Sequence, residues 1–273
     1  MNLFYNRKHG EPKASLVEHV KITIAQSPRE LGQQAAAYAK QVITDTLQRQ
    51  ARCRVVFATG TSQFELLDEL CHGLDIEWQR VVAFHLDEYL AVEPTHPASF
   101  QRFLRDRVLA RVPIGEFHFI DGLASDARME CQRLAALVHT APIDVALVGM
   151  GENGHLAFND PPADFTTTEP YIAVRLDDAC RRQQVGEGWF RALEDVPQNA
   201  ITMSIHQIMK ARNVICSVPE ERKAAAVAAA LRGPVSPLTP ASILQVHENV
   251  VVFLDLASAS LLQSDQLGPL QRP

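Results

Sequence analysis

Short apolar runs alternate with longer helical patterns along this chain, and that alternation restricts the fold more than any other feature. The strand-like runs cover residues 54–58, 80–86, 117–120, 144–148, 171–174, 200–204, 213–217 and 250–254. Helical spacing fills about 27–50, 62–71, 97–110, 124–140 and 219–231 between them. Strand–helix alternation with short loops predicts a three-layer α/β fold, a mainly parallel sheet with helices on both faces. The 171–174 run follows a long loop with no helix before it, so it is expected to leave the parallel pattern. Ser62 with Glu65 three residues on reads as a capping box, and Gly233-Pro234 is expected to stop the alanine-rich helix before it. No linker or charge run divides the 273 residues. The chain is therefore read as one domain, 1–273, with a loose tail from about residue 257.

Composition excludes several classes of function. With 47% hydrophobic and 21% charged residues, the chain is of ordinary globular type. Its net charge of −6 offers nothing to nucleic acid or to an anionic membrane. An anionic substrate would need a local site built from backbone amides rather than a basic surface. The five cysteines are widely spaced, odd in number and without a CxxC pair. That argues against a disulfide framework and gives no ligand spacing for a metal. No signal core opens the chain and no run approaches a membrane span. A cytoplasmic location is expected.

Four segments carry candidate chemistry. In VVFATGTSQFELL, a buried strand enters a turn of Thr59, Gly60, Thr61 and Ser62 and then a helix. Backbone amides at such a turn, with hydroxyls beside them, form an anion site. In RVVAFHLDEYL, Asp87 and Glu88 follow an apolar strand. Partial burial there raises a carboxyl pKa toward neutrality and suits acid–base work. Alternation along a strand turns the two carboxylates opposite ways, one to a substrate and one to hold a loop. In IDVALVGMGENGHLAFND, an apolar strand stops at a glycine turn that presents His155, with Asn153, Gly154 and Asp160 around it. Histidine is the side chain suited to proton exchange near neutral pH, and Asp160 is placed to orient its ring. The glycines spell GxGxxG, but mid-chain and ahead of a loop rather than a helix, which is not a nucleotide fingerprint. Lys223, early in a helix after the 213–217 strand, is a cation that could meet a phosphate at the same sheet edge.

Taken in this order, the segments ATGTS, FHLDEYL, HPASF, GMGENGHLAFNDP and SVPEERKAAA resemble the glucosamine-6-phosphate deaminase (isomerase) family, related to the 6-phosphogluconolactonases. The resemblance runs from about Val55 to Asp255. It implies hydrolytic deamination of an amino-sugar phosphate, glucosamine 6-phosphate or galactosamine 6-phosphate, to a ketose phosphate and ammonia, with no metal or organic cofactor. Residues 59–62 then match the family's phosphate turn and Lys223 its phosphate lysine. Asp87 matches the carboxylate that moves a proton between carbons 1 and 2, and His155 the histidine that opens the sugar ring. Glu88 and Gly154 support them. Three departures stand out. Asn153 replaces an aspartate, Asp160 replaces a glutamate, and the phosphate arginine has no match; counting along the loop lands near Gln184, with Arg181 and Arg182 beside it. A 6-phosphogluconolactonase-type hydrolase and a non-catalytic sugar-phosphate-binding relative are the alternatives. Against the lactonase stand Tyr89 after the DE pair and the ENGHLAFN segment. The family is often oligomeric, so assembly of identical subunits is left open.

Overall fold

The computed structural model describes residues 20–73 and 75–262. Its strands are β1 (Lys21–Ala25), β2 (Cys53–Phe57), β3 (Val81–His85), β4 (Asp87–Tyr89), β5 (Glu116–His118), β6 (Val145–Val148), β7 (Tyr171–Arg175), β8 (Asn199–Met203), β9 (Asn213–Val218) and β10 (Val250–Asp255). Its helices are α1 (Pro28–Arg49), α2 (Phe64–Leu70), α3 (Phe100–Leu104), α4 (Ala127–Val138), α5 (Asp178–Gly186), α6 (Ile205–Met209) and α7 (Ala224–Arg232). Seven strands pair in the order β1-β10-β9-β6-β2-β3-β5, and every pairing is parallel. A second sheet of three strands, β4-β8-β7, is antiparallel. The expected departure of the 171–174 run is the β7 hairpin partner of β8.

Alternation along the strands separates two cores. Val55, Phe57, Val145 and Leu147 face α1, α2 and α3 on one side. Val56, Ala146 and Val148 face α4, α6 and α7 on the other. Both faces are apolar because both are covered, which is why these strands read as continuous hydrophobic runs. The three layers expected from the alternation are therefore present. Among the described residues, no helix is long and apolar enough to cross a membrane.

Local chemistry sets the helix ends. Ser27 caps α1 by accepting from the amide of Glu30, with Pro28 in the first turn. The capping box expected at Ser62 does not form. A 3-10 turn over Thr61–Gln63 comes first, α2 starts at Phe64 and no side chain caps it. Ser62 is freed for the cavity described below. The alanine-rich α7 ends at Arg232 beside Gly233. Beyond β10, residues 256–262 form turns, and the rest of the expected tail lies outside the described residues.

Helices α1 and α2 cross at Gly32 in close contact. A Cβ there would stand 2.4 Å from Glu65 Cβ, 2.6 Å from the Glu65 carbonyl carbon and 2.9 Å from the Leu66 nitrogen. Gly32→Ala gains roughly 0.5–1 kcal/mol of helix propensity. It meets backbone that cannot move aside, and overpacking of this kind costs about 1–3 kcal/mol. The variant should therefore melt several degrees lower. An unchanged thermal midpoint would show that the two helices can part freely.

Candidate active site

Because β3, β2, β6 and β9 are adjacent and parallel, their carboxyl ends open on one edge of the sheet. The chain leaves β2 toward β3 on one side and β6 toward β9 on the other, so β2 and β6 straddle the point where the strand order reverses. Ligands of open α/β sheets bind at that crevice. All four segments singled out in the sequence end there. Residues 59–62 follow β2, Asp87 follows β3, His155 follows β6 and Lys223 follows β9.

The cavity they form holds about 70 Å³, and Thr59, Gly60, Ser62, Asp87, His155 and Lys223 line it. Thr61 departs from expectation. It faces an outer cleft of about 670 Å³ instead, where its hydroxyl accepts from Arg222 Nη2 at 3.2 Å. Gly60 has φ +94°, so the turn exposes its backbone with little steric cost to glycine. Lys223 is only 2% exposed, so it is no surface lysine. The carboxylate of Glu220 pairs with Arg222, not with Lys223. Burial lowers the pKa of Lys223, and the nearby carboxylate of Glu187 works against that shift.

Asp87 and Glu88 divide the labour that strand alternation suggests. Glu88 is turned away from the cavity and closes the loop before α3. It accepts from the amides of Tyr89, Phe100 and Gln101 and from the Ser99 hydroxyl. Asp87 is buried, and that burial, aided by the charge on Glu88, pushes its carboxyl well above the ordinary aspartate range. A desolvated carboxylate of raised pKa is a stronger base.

His155 owes its position to the glycine turn. The amide of Gly151 donates to the His155 carbonyl at 3.0 Å, and that of Gly154 donates to the Gly151 carbonyl at 3.0 Å. Gly154 itself has φ +81°. Asp160 and Asn153 stand behind the ring, off the cavity surface. Nδ1 of His155 lies 3.0 Å from Asp160 Oδ1, so the shorter aspartate does reach the ring. Asn153 accepts from the His155 amide at 3.0 Å and donates to Asp160 at 3.2 Å. Burial opposes a charge on Asp160, but hydrogen bonds from His155 and Asn153 outweigh it and hold the carboxyl below its ordinary value.

Side-chain atoms of His155, Asp160 and Cys180 lie within 4.8 Å of one another, as a metal's ligands would. Hydrogen bonding to Asp160 accounts for the cluster. Burial pushes the Cys180 thiol far up.

Sequence reasoning missed the wall that α5 supplies. Gln183, Gln184 and Glu187 all line the cavity. Glu187 separates it from the outer cleft, held by Gln183 Nε2 at 2.8 Å, Trp189 Nε1 at 3.1 Å and Arg222 Nη1 at 3.2 Å. Neither arginine near Gln184 enters the cavity. Arg181 donates to the carbonyls of Leu193 and Val196, and Arg182 lines the outer cleft.

A family profile described as Glucosamine-6-phosphate isomerases/6-phosphogluconolactonase matches residues 26–253. The chain belongs to this family. Among its relatives, a glucosamine-6-phosphate deaminase of Lactobacillus delbrueckii subsp. bulgaricus is 30% identical, over 89% of this chain and all of that protein. One from Exiguobacterium sibiricum is 36% identical over 76% of this chain and 81% of its own length. Solved structures agree. A monomeric glucosamine-6-phosphate deaminase superposes with a TM-score of 0.81 at 28% identity, over 88% of this chain and 99% of that one. The 6-phosphogluconolactonase of Trypanosoma brucei, at 19% identity and a TM-score of 0.75 over 89% and 98%, shares the fold. Members of the glucosamine-6-phosphate isomerase/6-phosphogluconolactonase family thus carry the three-layer sheet on which this cavity is built.

Proposed function

We propose that this protein deaminates an amino-sugar 6-phosphate hydrolytically, with aldose–ketose isomerisation, releasing a ketose 6-phosphate and ammonia. One observation carries the reading. A buried carboxylate of raised pKa, Asp87, shares one small cavity with His155 and with an anion end made by the 59–62 turn and Lys223. Relatives named glucosamine-6-phosphate deaminase match over 76% to 89% of the chain, which supports the same chemistry.

In this reading the steps are those that the family resemblance implies, and the lining of the cavity supports them. The phosphate binds at the turn, where backbone amides, the hydroxyls of Thr59 and Ser62 and the Lys223 ammonium are donors. His155 passes a proton to the ring oxygen as the ring opens. Asp87 takes the proton from carbon 2, giving an enolamine, and returns it to carbon 1, leaving an imine at carbon 2. Water adds to that imine and ammonia leaves. One carboxylate serves both carbons because a cis-enolamine presents them on one face. Positioned proton transfer of this kind contributes roughly 10²–10⁴ in rate. Asn153 and Asp160 act behind His155, holding its ring and backbone.

Ammonia release from glucosamine 6-phosphate and from galactosamine 6-phosphate tests the reading. Release from at least one is expected, and a folded protein that releases none from either overturns it. The pH dependence has a definite sign. Asp87 must be ionised to accept a proton, and its native pKa is raised. Activity is thus lost as pH falls through that raised value, well above the ordinary aspartate pKa of about 3.9. Asn153→Asp places a second negative charge beside Asp160 and favours proton binding in the cluster. The proton that His155 passes on is then held to higher pH, so the alkaline limb of kcat/KM should move to higher pH. A profile that overlays the parent's would mean position 153 is not coupled to the reacting groups.

A further inference from the structure

We propose that Gln184 reads a hydroxyl oxygen on the middle carbons of the sugar and so decides which epimer the cavity accepts. The inference rests on the amino-sugar-phosphate reading above and adds to it the residue that sets specificity.

Two observations fix what Gln184 presents. Tyr89 is fully buried, and a buried tyrosine must find an acceptor for its hydroxyl proton. That acceptor is Gln184 Oε1 at 2.7 Å. The bond orients the amide with Oε1 toward the tyrosine and Nε2 away from it. Gln184 is 6% exposed and lines the cavity, and Nε2 has no protein acceptor among the described residues. Gln183 is engaged differently. Its Oε1 accepts from the Glu152 amide and its Nε2 donates to Glu187. Gln184 therefore offers one fixed, uncharged donor to the ligand.

Helix geometry says where along the ligand that donor falls. Cys180 and Gln184 in α5 and its C-cap residue Glu187, which keeps helical backbone, are spaced i, i+4 and i+7, which puts them on one face over about 10 Å of axis. Cys180 stands beside Asp160 and His155. Glu187 stands over the Gly60 turn, with Oε2 4.0 Å from the place of a Gly60 Cβ. Gln184 is between them. A six-carbon chain laid with its reacting carbons at Asp87 and His155 and its phosphate at the turn brings carbons 3 and 4 to Gln184. A neutral donor suits a hydroxyl there, and glucosamine and galactosamine phosphates differ at carbon 4.

Steady-state kinetics on both epimers with Gln184→Ala and Tyr89→Phe test the proposal. Inorganic phosphate is the competitive probe of the anion end. In Gln184→Ala, kcat/KM for the preferred epimer should fall about tenfold, the worth of one lost hydrogen bond. The other epimer should change less, and inhibition by phosphate should stay within about twofold, since that end is untouched. Tyr89→Phe keeps the ring packing against Phe100, Phe158 and Phe190 and frees the amide to turn. It should narrow the same ratio by a smaller factor. An equal fall for both epimers with weakened phosphate inhibition would assign Gln184 to the phosphate and overturn the proposal. An unchanged ratio in both variants also overturns it. Ammonia from neither sugar with the parent protein is a separate result, the failure of the reaction itself.

Discussion

Asp87→Asn should lower kcat by about 10²–10⁴-fold, the contribution of a positioned general base. The substitution keeps side-chain size and removes only the capacity to take a proton. Asp87 is buried and its carboxyl is held well above the ordinary range. Loss of that buried charge does not threaten folding. Inhibition by inorganic phosphate should be nearly unchanged, because residues 59–62 and Lys223 come from other strand ends. Intact turnover would remove Asp87 from the chemistry. Lost turnover with lost phosphate binding would give it a structural role instead.

Gly151→Ala should come next in size. A Cβ at this position would stand 2.4 Å from Cε1 and Nε2 of His155 and 2.5 Å from Cδ2. These distances are far inside van der Waals contact, so the imidazole must move. Its opposite edge is tied to Asp160 at 3.0 Å, and that restraint keeps it from moving without tilting. A displacement of about 1 Å in a reacting group can cost on the order of 10² in rate. The expected result is a fall of that order in kcat with a folded protein and near-parental phosphate inhibition. An unaltered kcat would mean that the ring yields at no cost and that its placement does not govern the rate.

Legibility in the sequence followed burial. β6 and β9 are buried on both faces and stand out as apolar runs. β1 escaped notice because KITIA is short and largely half-exposed at the sheet edge. β4 is the polar triplet DEY, a strand only through its pairing with β8, and no local pattern reports such a partner. Each cluster of the site could be found because it sits where an apolar run breaks into glycine, hydroxyl or carboxylate residues. α5 could not. DACRRQQVG has few apolar residues, and its inner face is a wall of side chains bonded to one another and to Tyr89. Ser62 and Glu65 form a sound capping pattern that the chain does not use, because a 3-10 turn delays the helix. Spacing alone puts Asn153 and Asp160 near His155 in the chain, but their place behind the ring rather than on the cavity wall depends on how the turn folds.

The pairing of β1 with β10 bears on how this protein comes into being. β10 lies between β1 and β9, so the strand beginning at Lys21 has no neighbour until Val250 has been made. Among the described strands, the first in the chain waits for the last. Until then β1 and β9 both carry unpaired backbone, the kind of edge that recruits other chains. Contacts this distant in sequence also form slowly. A nascent chain halted before residue 250 could already hold Asp87, His155 and Lys223, yet lack the strand that closes the sheet beside them. Return of turnover after dilution from denaturant should therefore keep pace with β10 docking rather than with helix formation.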